Sequence, residues 1–485
     1  MKDFIILGGG NSGYISALIL KTAFPEMQIQ IIESKNIGII GVGEGSTEHW
    51  NNFLKYIGIN QLEMIWECGA TYKSGIFYKN WKKRDYYHIV SGDYNLCYND
   101  YFPKYGKLIS ENQYPIELVN RWFTKNQFPK IYIEKENKGL PPINQFHFDS
   151  YKLNNFLRKV AKERGIVVTE DDIISATLSE DTGDISSLKS KDKEYFSSFF
   201  VDCSGFKSHI MKNTLGVKWV SYDKHFPLNS AMAWQSDATE IIDCYTTVEA
   251  RDYGWTWKIP TQDRIGNGYV YSDSFATEDM ILDEIEKKYG KVEIQKKVKF
   301  NPGRLEKFWV KNCIGVGLSG SFVEPLEATS LTSIIQQMFA FTLYYPSKDD
   351  DRYNEIMDGI FDDIVDYVQL HYICDRNDTS FWKYCKNDLV LTDNIKRYLK
   401  LWKNRLPQKN ELNTPWRMFN AENYIIAFYS LGLFDTKKIK QEYDIMMSET
   451  QKSHLNVEFD KLKNFEKNSV FFSHRKLLSL MKELC

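Results

Sequence analysis

Little in this sequence is arranged for cross-linking or for thiolate metal sites. The 8 cysteines, at positions 68, 97, 203, 244, 313, 374, 385 and 485, include no Cys-x-x-Cys pair and no histidine at ligand spacing. A disulfide framework and a zinc ribbon are both excluded, and reduced thiols with no bound metal are expected. No apolar run is long enough to cross a bilayer. The chain enters a strand pattern at once instead of opening on a charged leader and a cleavable apolar stretch, so a cytoplasmic location is expected and a membrane partner is not. Charge of one sign is also missing. With 62 Lys plus Arg against 64 Asp plus Glu, the formal net charge is -2, which removes any general attraction to nucleic acid. Internal repeats and low-complexity linkers are absent, so the lobes of the chain are expected to pack together.

What remains is the composition of an ordinary folded enzyme. The 485 residues are 43% hydrophobic and 26% charged, enough for two or three lobes around a large core. Asp3 to Leu7 read as a buried strand, followed by a glycine cluster, a helical pattern through Tyr14, Ala17, Leu18, Leu20 and Phe24, and a second strand over Gln28 to Glu33. This is the opening β-turn-α-β unit of a dinucleotide fold. From Trp50 to about Asn80 the pattern is mainly helical. An irregular aromatic-rich insertion follows to about Phe148, with a bend at Pro141-Pro142. Asp149 is the expected N-cap of a helix over Tyr151 to Arg164, with Gly165 as its stop and a strand over Ile166 to Thr169. Strand patterns over Phe199 to Asp202, Thr246 to Ala250, Tyr253 to Ile259 and Gly268 to Tyr271 suit a mixed sheet. From Ser330 onward the reading is chiefly helical. The expected class is α/β, with a nucleotide-binding and catalytic lobe over 1–340, its insertion at about 80–148, and a helical lobe over 341–485.

The first glycine cluster, Gly8-x-Gly10-x-x-Gly13, contains Asn11 and Ser12 and leads straight into the helix. Missing side chains there let backbone amides approach a pyrophosphate at a helix N-terminus. Glu33 stands 20 residues beyond Gly13, the spacing of an acid that bonds a ribose hydroxyl. Tight strand-to-helix turns also need glycine; the flanking strand, the helix and the acid in register favour nucleotide binding.

Further along, Gly41-Val42-Gly43-Glu44-Gly45-Ser46 resembles the G-V-G-E-A-T stretch of flavin-dependent halogenases of the tryptophan halogenase family, where a loop runs along the flavin toward the substrate side. Gly254-Trp255-Thr256-Trp257-Lys258-Ile259-Pro260 matches that family's W-x-W-x-I-P signature. Two indoles at i and i+2 of a strand share one face and can wall off space beside a flavin, although such residues are also ordinary core. Glu67 to Phe77 is similar to the segment bearing the family's active-site lysine and places that role on Lys73, whose apolar neighbours would lower its pKa. Phe322-Val323-Glu324-Pro325-Leu326-Glu327-Ala328-Thr329 resembles F-x-E-P-L-E-S-T. It assigns the catalytic carboxylate to Glu327 and halide binding to the amides of Thr329 and Ser330, at the start of a helix whose free N-H groups and dipole suit an anion. Glu324 is given a structural role beside Pro325. Asp202-Cys203-Ser204-Gly205 is similar to a D-x-x-G segment that closes on FAD, and Gly317 lies in the glycine run leading to the acid turn. Tyr87-His88 resembles an aromatic-plus-histidine substrate site, which puts His88 with Trp255, Trp257 and Pro260 on the substrate side. Ala328 departs from the family serine and puts any hydroxyl bridge between carboxylate and lysine in doubt.

The resemblance implies a glutathione-reductase-type FAD lobe and a reduced cofactor delivered by a separate flavin reductase. Halide (chloride, bromide or iodide) would be converted to hypohalous acid, which Lys73 guides to an electron-rich indole, phenol or pyrrole while Glu327 assists. Two other readings stay open: a hydroxylating flavin monooxygenase and a non-catalytic FAD-binding protein. Aromatic residues, 15% of the chain, include Trp122, Phe123, Trp382, Trp402 and Trp416 as possible substrate sandwiches. No C-terminal segment matches an amino-acid-recognising loop, and an oligomer is left open.

Overall fold

The computed structural model describes residues 2–39, 41, 43–82, 85–89, 101–113, 124–130, 145–412 and 416–482. Val42, Trp122, Phe123, Pro141, Pro142, Cys97 and Cys485 lie outside the described residues.

Alternating apolar segments build a parallel sheet. Its strand order is Trp309–Val310, Cys313–Gly315, Ser197–Asp202, Lys2–Leu7, Ile29–Glu33 and Val167–Glu170, parallel throughout except for the Trp309–Val310 edge. Phe4, Ile6, Ile31, Phe200 and Val201 are buried in it, as expected of strands covered on both faces. The helix Asn11–Ala23 runs back across this sheet and touches the helices Ser150–Glu163 and Ser330–Tyr344. Asp149 caps the second of these by accepting from the amides of Tyr151 and Lys152, and Gly165 takes the positive φ that ends it. The α/β class read from the sequence is the class observed.

A second sheet of seven strands runs Ile294–Lys299, Ser230–Asp237, Arg264–Tyr271, Gly254–Pro260, Tyr245–Arg251, Gly75–Lys79, Tyr86–Ile89. It is antiparallel except where Tyr245–Arg251 pairs with Gly75–Lys79. Here the structure corrects the helical reading of 50–80. Helices cover His49–Ile57 and Gln61–Glu67, after which the chain turns at Gly69 (φ +57°) and enters the strands Thr71–Tyr72 and Gly75–Lys79. The run Gly-Ile-Phe-Tyr-Lys gains its backbone partners only from residues 245–251 and 86–89, distant or not yet reached in sequence. Tertiary pairing thus overrides the local pattern.

A three-stranded sheet is small but decisive for the site. Phe146–Phe148 lies between Glu44–Gly45 and Thr71–Tyr72, so His147 stands opposite Gly45 on one side and Thr71 on the other. From Ser330 the described elements are helices, joined near the end by the strand Phe471–Ser473, which pairs with Gln127–Pro129. No helix among the described residues is long and apolar enough to cross a membrane.

Candidate active site

The glycine turn expected to cradle a nucleotide is made of backbone. A Cβ on Gly13 would sit 2.0 Å from the Gly8 carbonyl oxygen, and one on Gly8 (φ +125°) would sit 2.2 Å from that of Cys203; both glycines are required by close strand-helix packing. Gly10 is different: a Cβ there meets nothing within 4 Å, so the turn opens onto free space at the N-terminus of a 13-residue helix. Asn11 Oδ1 is buried without a partner beside this opening, while Asn11 Nδ2 donates to Glu44 Oε1 at 2.9 Å. Burial raises the Glu44 pKa. An open glycine, free helix-end amides and an orphaned amide oxygen fit the phosphates and hydroxyls of a dinucleotide.

Other residues expected at the cofactor are already engaged. Glu33 ends its strand with Oε1 accepting from Arg158 at 2.6 and 3.0 Å and Oε2 accepting from the Tyr14 hydroxyl at 2.6 Å. Asp202 is fully buried. Its Oδ1 accepts from the Ser204 amide and hydroxyl and from the Ser319 hydroxyl, and its Oδ2 from the Ile210 and Met211 amides. It therefore holds the turn that contains Gly205 (φ +72°), which a Cβ would leave facing open space. Gly317 (φ +65°) sits against Ser12, and its amide donates to Gln337 Oε1. A Cβ on Gly41 would fall 2.8 Å from Ser150 Oγ, and one on Gly43 would fall 3.3 Å from Ile259 of the two-tryptophan strand.

Lys73 lies just past the small sheet, wholly buried, and its ammonium donates to the Ser46 carbonyl at 2.9 Å. Desolvation lowers its pKa to about 8 despite the opposing pull of Glu327. A Cβ on Gly45 would stand 3.4 Å from Lys73 Nζ and 3.3 Å from Ala328 Cβ. The glycine-rich loop, the lysine and the residue after Glu327 therefore meet at one point.

Glu327 ends a short 3-10 turn, Pro325–Glu327, and Ala328 takes a left-handed backbone (φ 55°). Its carboxylate is buried within a cage of donors. Tyr78 donates to Oε1 at 2.5 Å, His371 Nε2 lies 2.8 Å from Oε1, and His88 Nδ1 lies 3.1 Å from Oε1 and 2.9 Å from Oε2. These neighbours hold its pKa well below the usual carboxylate range although burial opposes them. Behind the first ring, Tyr86 OH is 3.0 Å from His371 Nδ1, and Tyr367 OH and Asn423 Nδ2 are 3.0 and 3.2 Å from His88 Nε2. The side-chain nitrogen of Asn423 is fixed as a donor because its oxygen accepts from the Asn420 amide. His88 Nε2 thus accepts, and its proton sits on Nδ1 facing Glu327. Oε1 accepts from Tyr78 and shares the His88 Nδ1 proton with Oε2, which has no other donor among the described residues and is the freer oxygen.

Thr329 is buried and Ser330 exposed at the head of the helix Ser330–Tyr344. Trp255 and Trp257 share one face with centroids 6.1 Å apart; Trp255 is buried, and Trp257 covers Gly268, where a Cβ would strike the ring at 2.0 Å. The Pro260 carbonyl accepts from Thr71 Oγ1 at 2.6 Å, linking this strand to the one that leads to Lys73. Sequence reading missed Tyr78, Tyr86, Tyr367, His371 and Asn423. They carry no motif and converge only through the fold.

A family model described as "Tryptophan halogenase" matches residues 3–446. The chain belongs to the tryptophan halogenase family. It is a flavin-dependent halogenase of aromatic substrates, taking reduced FAD from a separate flavin reductase and halide as co-substrate. The tryptophan 6-halogenase of Streptomyces albogriseolus is 31% identical over 480 residues, spanning 89% of this chain and 90% of that protein. The tryptophan 7-halogenase of Lentzea aerocolonigenes is 28% identical over 479 residues, with 89% and 90% covered. Among solved structures, the tryptophan C-6 flavin-dependent halogenase of taromycin biosynthesis superposes with a TM-score of 0.88 at 26% identity, covering 99% of this chain and 100% of that one. The tryptophan halogenase of Shewanella frigidimarina shares the fold, with a TM-score of 0.89 at 24% identity, covering 100% of this chain and 98% of that one.

Proposed function

We propose that this halogenase transfers an electrophilic halogen to an electron-rich ring, with Lys73 guiding the halogen and Glu327 assisting the aromatic substrate. The observation that carries the reading is the convergence of Gly45, Lys73 and Ala328, which puts a buried amine between the glycine-rich loop and the Glu327 turn.

The amides of the Gly8–Gly13 turn and the loop around Gly43 would hold reduced FAD, which together with dioxygen would supply the two-electron oxidation of halide. The amides of Thr329 and Ser330 give the halide a helix-end site. Lys73 then works from a desolvated position: its pKa of about 8 leaves an ammonium to donate a hydrogen bond and a neutral fraction to act as nucleophile. Glu327 stays ionised within its cage. Its freer Oε2 stabilises the cationic ring adduct and accepts the departing ring proton, while Oε1 stays fixed by Tyr78 and His371. Burial of Trp255, and the packing of Trp257 over Gly268, build a dry wall on the strand that meets the loop at Ile259. The helical segment after residue 340 supplies Tyr367, His371 and Asn423 around His88, which suits a cover over the substrate side.

The relatives named above act on tryptophan, so tryptophan heads a panel of indoles, phenols and pyrroles. The test is mass spectrometry of that panel with FAD, a reductase and each of chloride, bromide and iodide. Halogenated product that vanishes in Lys73→Ala supports the reading. Oxygenated product without halogen would replace it with hydroxylation.

A further inference from the structure

The acid turn carries two glutamates three residues apart, both buried, and one dipeptide contacts both. Helix Asp350–Leu370 is capped by His371, and the chain continues into Tyr372; both side chains are fully buried. His371 Nε2 approaches Glu327 Oε1 at 2.8 Å, while the Tyr372 hydroxyl donates to Glu324 Oε1 at 2.6 Å. The same hydroxyl accepts from Trp255 Nε1 at 3.2 Å, so Glu324, Tyr372 and the signature-strand indole form one chain. The dipeptide itself is held: Trp81 Nε1 donates to the His371 carbonyl at 2.6 Å, and Tyr372 packs edge-on against Trp81 and stacks on Trp382, two indoles that also touch each other.

The surroundings of the two acids differ in kind. Glu327 faces Tyr78 and two imidazoles, with Lys73 within electrostatic reach. Glu324 faces Tyr372, Trp255 and the Cys385 thiol of the helix Ser380–Asn387, itself kept protonated by burial, and its Oε2 is buried with no partner at all. A carboxylate with one hydroxyl donor and an orphaned oxygen cannot be sustained in an apolar interior, whereas a neutral carboxylic acid can.

Resting on the reading of Glu327 as the working carboxylate, we propose that the two acids of the turn hold different charge states, with His371 and Tyr372 as the positioning residues that orient them. His371 fixes Glu327 as the charged member. Burial and the unpartnered Oε2 keep Glu324 the uncharged member, and Tyr372 sets its orientation by tying it to the Trp255 indole. Burial accordingly lifts the Glu324 pKa to about 8, while Glu327 is held far below the ordinary range. One turn thus carries a charged acid toward the reacting ring and a neutral acid toward the two-tryptophan wall, without the repulsion of two buried anions.

The test uses infrared spectroscopy of FAD-free protein, where a protonated carboxyl group absorbs apart from carboxylates. The wild-type spectrum at pH 6 minus that of Glu324→Gln should contain a protonated-carboxyl band that fades with a midpoint near 8. The wild type minus Glu327→Gln should contain none. In Tyr372→Phe the Glu324 band should shift in frequency because its hydrogen bond is gone. In the active enzyme Tyr372→Phe should lower kcat by about tenfold to a hundredfold with little change in KM. Glu324→Gln should retain more of kcat, since an amide can still accept from Tyr372. His371→Asn should move the acid limb of the pH profile upward. Absence of the Glu324 band at pH 6, or a protonated band assigned to Glu327, overturns the proposal. A wild type without halogenase activity would instead overturn the functional reading and leave the infrared result to decide this one.

Discussion

The glycine turn at residues 8–13 and the acid cage at Glu327 stand at the two ends of the proposed chemistry and are built in opposite ways. The turn is backbone: two glycines are required by contacts with neighbouring carbonyls, one opens onto space, and all come from six consecutive residues. The cage is side chains, with Tyr78 and His88 reaching Glu327 from the paired strands at 75–79 and 86–89 and His371 from the end of a distant helix. A backbone cradle tolerates change around it so long as the glycines stay. A side-chain cage fails when any one donor is lost, because a buried charge is left short of partners.

The sharpest break of this comparison is chemical. Glu327→Gln and Lys73→Ala should each lower halogenated product formation by about 10²- to 10⁴-fold in single-turnover assays, with FAD affinity, read by flavin fluorescence, unaltered. A parallel loss of FAD binding would mean that the two regions are one energetic unit. Next, Gly13→Ala should lose about 3 kcal/mol of stability in urea unfolding, because the added methyl overlaps the Gly8 carbonyl. Gly10→Ala should unfold within about 0.5 kcal/mol of wild type yet bind FAD more weakly. Equal destabilisation by both would show that the opening at Gly10 is filled by protein.

A pH experiment sharpens the cage side. The pKa of Lys73 is lowered from 10.5 to about 8 in the folded protein, so between these values the unfolded chain binds the extra proton and stability from this group rises with pH. Lys73→Met should therefore be more thermostable than wild type at pH 7, by on the order of 2 kcal/mol, and the gap in Tm should close as pH passes from 8 to 10.5. The smallest effect is expected at the partly exposed pair of Arg158 and Glu33 beside the turn. Arg158→Ala should cost no more than about 1 kcal/mol by urea midpoint, and a larger loss would show that the cradle depends on side chains after all.

Much of the fold was legible along the chain. The opening strand, the helix beginning at Asn11 and the strand ending at Glu33 form a local unit, and the cap at Asp149 with the stop at Gly165 needs only neighbouring residues. The stretch after Gly69 was not. Its strand character depends on partners at 86–89 and 245–251, and a local pattern carries no record of them. Within the site, motif order located Lys73 and Glu327 but gave Asp202 and Glu33 no sign of the protein donors that fill their oxygens.

By itself the sequence determined the glycine turn and the family motifs, and singled out the acid and the amine proposed to act, because each is written in a few adjacent residues whose backbone needs are local. Only the tertiary structure decided the company those groups keep. The placement of two histidines and a tyrosine around Glu327, of a lone hydroxyl beside Glu324, and of Lys73 behind the Ser46 carbonyl is set by long-range packing. Charge state in a buried site follows from such neighbours rather than from the titrating residue.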